Sequence, residues 1–235
     1  MLTKTLPLHS LITIILLTGL TSTVAAGSIK MGNIIPGAGL ISRNIVSMRE
    51  LKFVNIVPQK TDFSCGAAAL ATILKYAYGH DITESEVIEG LLTVSDPELV
   101  KQKGFSLLDL KNYVKAHDMR ARGYRMDAKL LEKIKIPVIV LLNIRGYKHF
   151  VVVKKTTHNK VYIADPALGN RIMDRASFTE GWNRVVFAVI GQGFDRESIL
   201  LKPKGPLTAK NMTNSWRPLT DRQLIEFGFR SKELF

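Results

Sequence analysis

Cys65 is the only cysteine among the 235 residues, and its surroundings suit nucleophilic chemistry. The segment after it has the apolar spacing of an amphipathic helix, and Gly79 is the kind of residue that ends helices in the left-handed conformation. Cys65 is therefore predicted to stand at a helix N-terminus, where the macrodipole favours thiolate. A thiolate attacks carbonyl carbon when a base and an oxyanion donor are close. The alternative is a small apolar residue that fills a core.

His149 and Asp165 are the candidates for the base and for the group that orients it. His149 opens one predicted strand and Asp165 closes the next, with the turn midway between them. This spacing predicts that the two residues lie roughly opposite each other across an antiparallel ribbon, where directly opposed side chains on one face have Cβ atoms about 4.5–5.5 Å apart. A two-residue loop at His158-Asn159 would shift the register, and a one-residue slip would place the pair on opposite faces. The alternatives are a strand-end histidine without a role and a turn-forming aspartate.

Gln59 and Gly66 flank the cysteine. Gln59 lies on the segment that leads into the predicted helix, so its side-chain amide and the backbone N–H of Cys65 could together stabilise an oxyanion. Gly66 has no side chain and would let another chain approach the sulfur closely. The alternative for Gln59 is an ordinary polar loop residue.

Composition excludes several classes of protein. A single cysteine excludes an intrachain disulfide and cysteine-rich zinc or iron–sulfur sites, and no metal or cofactor is predicted. The formal net charge is +13, but the basic residues are spread along the chain without aromatic interleaving. A solvated basic surface is therefore the favoured interpretation, and nucleic acid is not predicted as a partner. Peripheral contact with an anionic membrane surface is the alternative.

Residues 1–26 have the features of a secretory signal peptide. Lys4 precedes an apolar run over residues 11–20, and small residues follow at Val24-Ala25-Ala26. The run is too short for an ordinary spanning helix, with an uncleaved anchor as the alternative. Residues 27–50 are glycine-rich and predict an arm along the surface. Residues 51–194 are predicted to form one domain, and residues 195–235 a tail that adds little to the core.

Helical patterns precede strand patterns within the predicted domain. Two capping boxes, which start at Thr83 and Ser106, predict helices that end near Leu92 and His117. Strand patterns cover residues 53–57, 122–125, 137–142, 149–153, 161–165 and 184–190, with a turn at Gly169-Asn170. This order predicts an α+β fold in which an N-terminal helical lobe packs on an antiparallel β-sheet lobe.

Three blocks of residues together resemble the bacteriocin-processing double-glycine peptidases, which are papain-like cysteine peptidases. The blocks are Gln59…Cys65-Gly66-Ala67-Ala68-Ala69-Leu70, Gly146…His149-Phe150-Val151-Val152 and Ala164-Asp165-Pro166. The resemblance covers about residues 53–190 and implies the papain-like fold. It also implies that Cys65 is the nucleophile, His149 the general base, Asp165 its orienting residue and Gln59 the oxyanion donor.

Two features distinguish this chain from the double-glycine peptidases that are linked to transporters. It has the features of a signal peptide, and Ser64 stands where many members have an aspartate. Ser64 and Gly66 are candidates for substrate contact. A stand-alone exported member resembles the peptidase-like component of functional amyloid secretion. This implies a periplasmic cysteine endopeptidase whose clients are amyloid subunits or their secretion components. The alternative is a non-cleaving, peptidase-like module that binds an extended polypeptide during secretion.

Overall fold

The computed structural model describes residues 28–31, 41–44, 47–144 and 146–203. The chain divides into two units, the first of which ends at Ser47. In this first unit, β1 (Ser28–Met31) and β2 (Ile41–Asn44) pair as an antiparallel two-stranded sheet. Part of the segment predicted as an arm, residues 27–50, therefore forms strands. The predicted signal peptide lies outside the described residues, as does the predicted tail beyond residue 203.

The second unit combines helices with an antiparallel sheet. Its helices are α1 (Met48–Lys52), α2 (Cys65–Tyr78), α3 (Glu84–Leu92), α4 (Pro97–Lys103), α5 (Leu107–Ala116) and α6 (Arg175–Gly181). Its strands are β3 (Arg120–Arg125), β4 (Val138–Ile144), β5 (Tyr147–Thr156), β6 (Lys160–Asp165), β7 (Gly169–Asp174) and β8 (Trp182–Ile190). Neighbouring strands in the order β3-β8-β4-β5-β6-β7 are antiparallel. The predicted α+β class is confirmed.

Local sequence signals define most helix boundaries. Both predicted capping boxes are present, because Thr83 and Ser106 accept the backbone N–H three residues further on. Gly79 ends α2 with a φ of 71°. The sequence analysis missed α4, although Asp96 caps its first amides and Pro97 suits a first helical turn.

Two clusters of buried apolar side chains cover the two faces of the six-stranded sheet. The first joins α2, α3 and α5 to one face and includes Leu110 and Ile139. The second lies on the opposite face, beneath α6, and includes Val140 and Phe178. Alternate residues of β4 thus enter different clusters, which explains why residues 138–142 are all apolar. The predicted burial of both its faces is confirmed.

Two local predictions are wrong. The strand predicted over residues 53–57 is absent, because residues 53–55 form a turn in which Asn55 adopts the left-handed conformation with a φ of 59°. Gly169-Asn170 begins β7 instead of making a turn. Leu200, beyond the predicted end of the domain, is buried in the first cluster. Among the described helices, none has both the length and the apolar character needed to cross a membrane.

Candidate active site

Cys65 is the first residue of α2, and it is half-buried. Small residues in the first turns of α2 allow the helix to pack closely on the sheet. The closeness is clear at Gly66, where an added Cβ would lie 3.3 Å from Cδ2 of Phe150 in β5. This packing holds the positive end of α2, with the thiol on it, against the strand that carries His149.

Ser64 anchors the loop that precedes the thiol. Its hydroxyl is buried and lies 2.5 Å from Oε1 of Glu84, and the same oxygen accepts the backbone N–H of Lys60 at 2.9 Å. Glu84 thus fixes this loop from the start of α3. Ser64 and Gly66 were expected to contact substrate, but the structure places both in the interior, against Glu84 and Phe150.

His149 and Asp165 meet at the end of the β5–β6 ribbon, and both side chains are buried. The Nε2–H of His149 donates to Oδ1 of Asp165 at 2.7 Å. The other ring nitrogen, Nδ1, is buried and has no hydrogen bond of ordinary geometry with the described residues. A neutral imidazole held this way carries its proton on Nε2 and keeps a free lone pair on Nδ1.

A bulge in β5 sets the register between His149 and Asp165, which the sequence had left open. Lys155 pairs with Tyr162 near the turn, whereas Val153 pairs with Ile163 further on, so Lys154 is an extra, bulged residue in β5. Continued by one step, this register places Asp165 opposite Val151 and diagonal to His149 on the same face. Diagonal neighbours on one face are close enough for their side chains to reach each other.

Asp165 is held by several donors besides His149. Its Oδ1 accepts the backbone N–H groups of Ala167 at 2.9 Å and Leu168 at 3.0 Å, and its Oδ2 accepts Nη1 of Arg171 at 3.0 Å. Arg171 was not predicted as a site residue. Because Gly169-Asn170 was predicted as a turn and no strand was predicted after it, no pairing placed Arg171 opposite Ile163, on the face that carries Asp165.

The surroundings of His149 and Asp165 shift the pKa of both side chains. Burial acts to lower the pKa of His149, but its hydrogen bond with Asp165, the neighbouring Cys65 thiol and the negative charges of both groups outweigh it and raise the pKa from 6.5 to about 9. Burial acts to raise the pKa of Asp165, but its bond to His149 and the backbone N–H groups hold it below the ordinary value. Both shifts favour an imidazolium beside a carboxylate.

Gln59 is tied to the same end of the ribbon. Its backbone N–H donates to the carbonyl of Pro166 at 2.9 Å, which joins its loop to the residue after Asp165. Its side-chain Nε2 donates to the carbonyl of Thr61 at 3.3 Å, and its buried Oε1 has no partner in the part of the chain that the structure describes. A bond of this length is weak, so a charged oxygen would be a stronger acceptor for the amide.

A cleft of about 580 Å³ opens beside Cys65. Aromatic and aliphatic side chains line much of it, together with lysines: Phe63, Phe105, Leu107, Leu141, Phe150, Lys101, Lys103 and Lys148. Tyr147 also lines the cleft, and its ring stacks on the imidazole of His149 with centroids 5.6 Å apart. The sequence analysis missed Tyr147, although two residues of spacing within a strand place it on the same face as His149.

The four residues predicted from the sequence therefore occupy one region. A thiol at a helix N-terminus interacts with an imidazole, a carboxylate orients that imidazole, and an amide lies on the adjoining loop. This arrangement can support acyl transfer through a thiolate. The described residues hold no group of three or more histidine, cysteine or acidic side chains able to bind a metal ion.

Residues 53–192 match the Peptidase C39 family. The match covers more than half of the chain, and the protein therefore belongs to this family and is a cysteine peptidase. The chain is 54% identical over 201 residues to the "Probable functional amyloid protease FapD" of Pseudomonas aeruginosa, covering 86% of this chain and 89% of the relative. It is 51% identical over 200 residues to the protein of the same name from Pseudomonas fluorescens, covering 85% and 88%.

Solved structures support the same classification. A double glycine motif protease from an AMS/PCAT transporter, crystallised with its leader peptide, is 26% identical with a TM-score of 0.50; the match covers 58% of this chain and 91% of that one. The peptidase domain of Streptococcus ComA is 23% identical with a TM-score of 0.51, covering 58% and 98%, and shows the shared fold alone. The resemblance to double-glycine peptidases and the papain-like fold are confirmed.

Proposed function

We propose that the protein is a periplasmic cysteine endopeptidase that processes a polypeptide client in the biogenesis of a functional amyloid. The observation that carries the catalytic part is the orientation of His149. Its Nε2 is committed to Asp165 at 2.7 Å, while its buried Nδ1 is free to exchange a proton with the neighbouring Cys65 thiol. The named relatives support the amyloid part of the proposal.

The reactive form is the thiolate–imidazolium pair, in which the proton of the Cys65 thiol has passed to Nδ1 of His149. The thiolate attacks the carbonyl carbon of the scissile peptide bond, and the carbonyl oxygen becomes an oxyanion. The side-chain amide of Gln59 and the backbone N–H of Cys65 donate hydrogen bonds to this oxygen. The buried carboxylate of Asp165 stabilises the imidazolium that exists at this stage.

Collapse of the tetrahedral intermediate breaks the C–N bond. Nδ1 of His149 gives its proton to the departing amine, which leaves a thioester between Cys65 and the N-terminal part of the client. The neutral imidazole then takes a proton from a water molecule, whose oxygen attacks the thioester carbonyl. Breakage of the C–S bond releases the carboxylate product, and the proton returns to the thiolate.

Mass spectrometry of clients co-expressed with active and inactive enzyme would test this function. Amyloid subunits and their secretion components should show one or more defined cleavages with the wild-type chain and none with Cys65→Ala. His149→Ala should behave like Cys65→Ala. His158→Ala is a matched control, because His158 lies exposed at the tip of the same ribbon and should leave cleavage intact.

Two outcomes would overturn the proposal. Full client maturation with Cys65→Ala, together with retained client binding, would establish the non-cleaving module instead. A client cut equally by the wild type and by both histidine variants would place the chemistry elsewhere. For the location, fractionation should recover the protein in the periplasm without residues 1–26; recovery in the cytoplasm would contradict the predicted export.

A further inference from the structure

Tyr147 lines the cleft and contacts His149, but the proposed mechanism gives it no role. It stands two residues before His149 in β5, so both side chains leave the same face of the strand. The planes of the two rings are inclined by 27° with centroids 5.6 Å apart, which is a stacked arrangement. Tyr147 is itself 54% exposed, whereas the residue beneath it, His149, is only 4% exposed. The tyrosine ring therefore lies between the imidazole and the solvent of the cleft.

The acidic groups that face the hydroxyl of Tyr147 are Cys65 at the start of α2, Asp62 on the preceding loop and Asp165 at the end of β6. Burial, followed by these negative charges, raises the pKa of Tyr147, so the phenol keeps its proton at neutral pH.

We infer that Tyr147 is a positioning residue of the site, because its ring holds and shields the imidazole of His149. The inference rests on the proposed function for its catalytic meaning. The physical basis is restriction of motion. A stacked ring limits rotation of the imidazole about its Cβ–Cγ bond, which keeps Nε2 on Asp165 and Nδ1 towards Cys65.

Nuclear magnetic resonance of the full chain tests the ring without any client. The Nε2–H proton of His149, hydrogen-bonded to a buried carboxylate, should give a low-field resonance that Tyr147→Phe retains and Tyr147→Ala loses to exchange with water. The rate of Cys65 alkylation by iodoacetamide at pH 7 should fall about two- to tenfold in Tyr147→Ala, which is the range for one aromatic contact. Tyr124→Ala is the matched control, because Tyr124 is a 41% exposed tyrosine on β3 at the far edge of the sheet.

The inference is overturned if Tyr147→Ala keeps both the low-field resonance and the alkylation rate of the wild type. A wild-type chain that cuts no client would refute the proposed function alone, because the resonances and the alkylation rate do not depend on a client. A pH profile of alkylation between pH 5 and 10 adds a further check: Tyr147→Phe should superimpose on the wild type, and Tyr147→Ala should not.

Discussion

His149 and Asp165 share one face of the β5–β6 ribbon because Lys154 is bulged between them and the turn. The loop of the ribbon has two residues, and the pairing next to it sets Lys155 against Tyr162. Unbroken, that register would bring Asp165 opposite Val152, on the face that His149 does not use. The bulge moves β5 by one residue and restores the contact.

Deletion of Lys154 should therefore leave the site intact. Without the bulged residue, Val153 and Lys155 become consecutive residues that still pair with Ile163 and Tyr162. The register between this point and His149 is therefore unchanged. We expect peptidase activity within about tenfold of the wild type, the difference coming from lost local contacts. The contrasting variant inserts one alanine between Phe150 and Val151, which moves His149 to the other face. Circular dichroism would show whether the deletion variant and the insertion variant are folded. If both are folded and lose activity equally, the role given to the bulge is wrong.

The pH dependence of stability follows from the raised pKa of His149. The folded pKa of about 9 exceeds the unfolded value of 6.5, so the native state binds more protons between these limits. The contribution is complete below pH 6.5 and is lost as the pH rises through about 9. Urea titrations from pH 6 to 10 should show a fall in the free energy of unfolding for the wild type that is absent in His149→Gln. A parallel fall in both proteins would assign the loss to other groups.

Asp165 should produce the opposite trend at acidic pH. Its folded pKa lies below the ordinary value of 3.8, so its contribution is present above that pH and is lost as the pH falls through the folded pKa. Asp165→Asn should remove this acid sensitivity. The same substitution should lower kcat by about 10²–10⁴-fold, because an amide cannot hold the imidazole in the required proton form. Activity within tenfold of the wild type would show that the carboxylate is not needed.

Arg171 should contribute to activity through Asp165. Its Nη1 bonds Oδ2 of Asp165 at 3.0 Å, while the guanidinium remains half-exposed. We expect Arg171→Met to lower kcat/KM by about three- to thirtyfold, the range for one charge-assisted hydrogen bond in a partly solvated setting. Arg171→Lys should recover part of the loss. Arg184→Met is the control, since Arg184 pairs with the exposed Asp127 away from the site.

Gly66 should be needed for packing. A methyl group there would press on the ring of Phe150 at 3.3 Å, and overpacking of this kind costs about 1–3 kcal/mol. Gly66→Ala should lower the free energy of unfolding by that amount, and the double variant with Phe150→Leu should recover part of it. If Gly66→Ala were as stable as the wild type but blocked client cleavage, the glycine would be serving substrate binding after all.

Much of this protein was determined by short-range sequence signals. Capping residues and a terminal glycine located α2, α3 and α5, and the position of Cys65 followed from them, because helix ends depend on groups within one turn. The apolar run of β4 likewise predicted a strand buried on both faces. These features need no knowledge of distant residues.

Only the tertiary structure decided how the site is held. The bulge at Lys154, the bond from Arg171 to Asp165, the stacking of Tyr147 and the carboxylate of Glu84 under Ser64 each join residues through pairing or packing. A one-residue change of register alters such contacts without any change in local pattern. The sequence therefore predicted Cys65, His149, Asp165 and Gln59 as site residues. The residues that support them are set by strand pairing and packing, which only the tertiary structure shows.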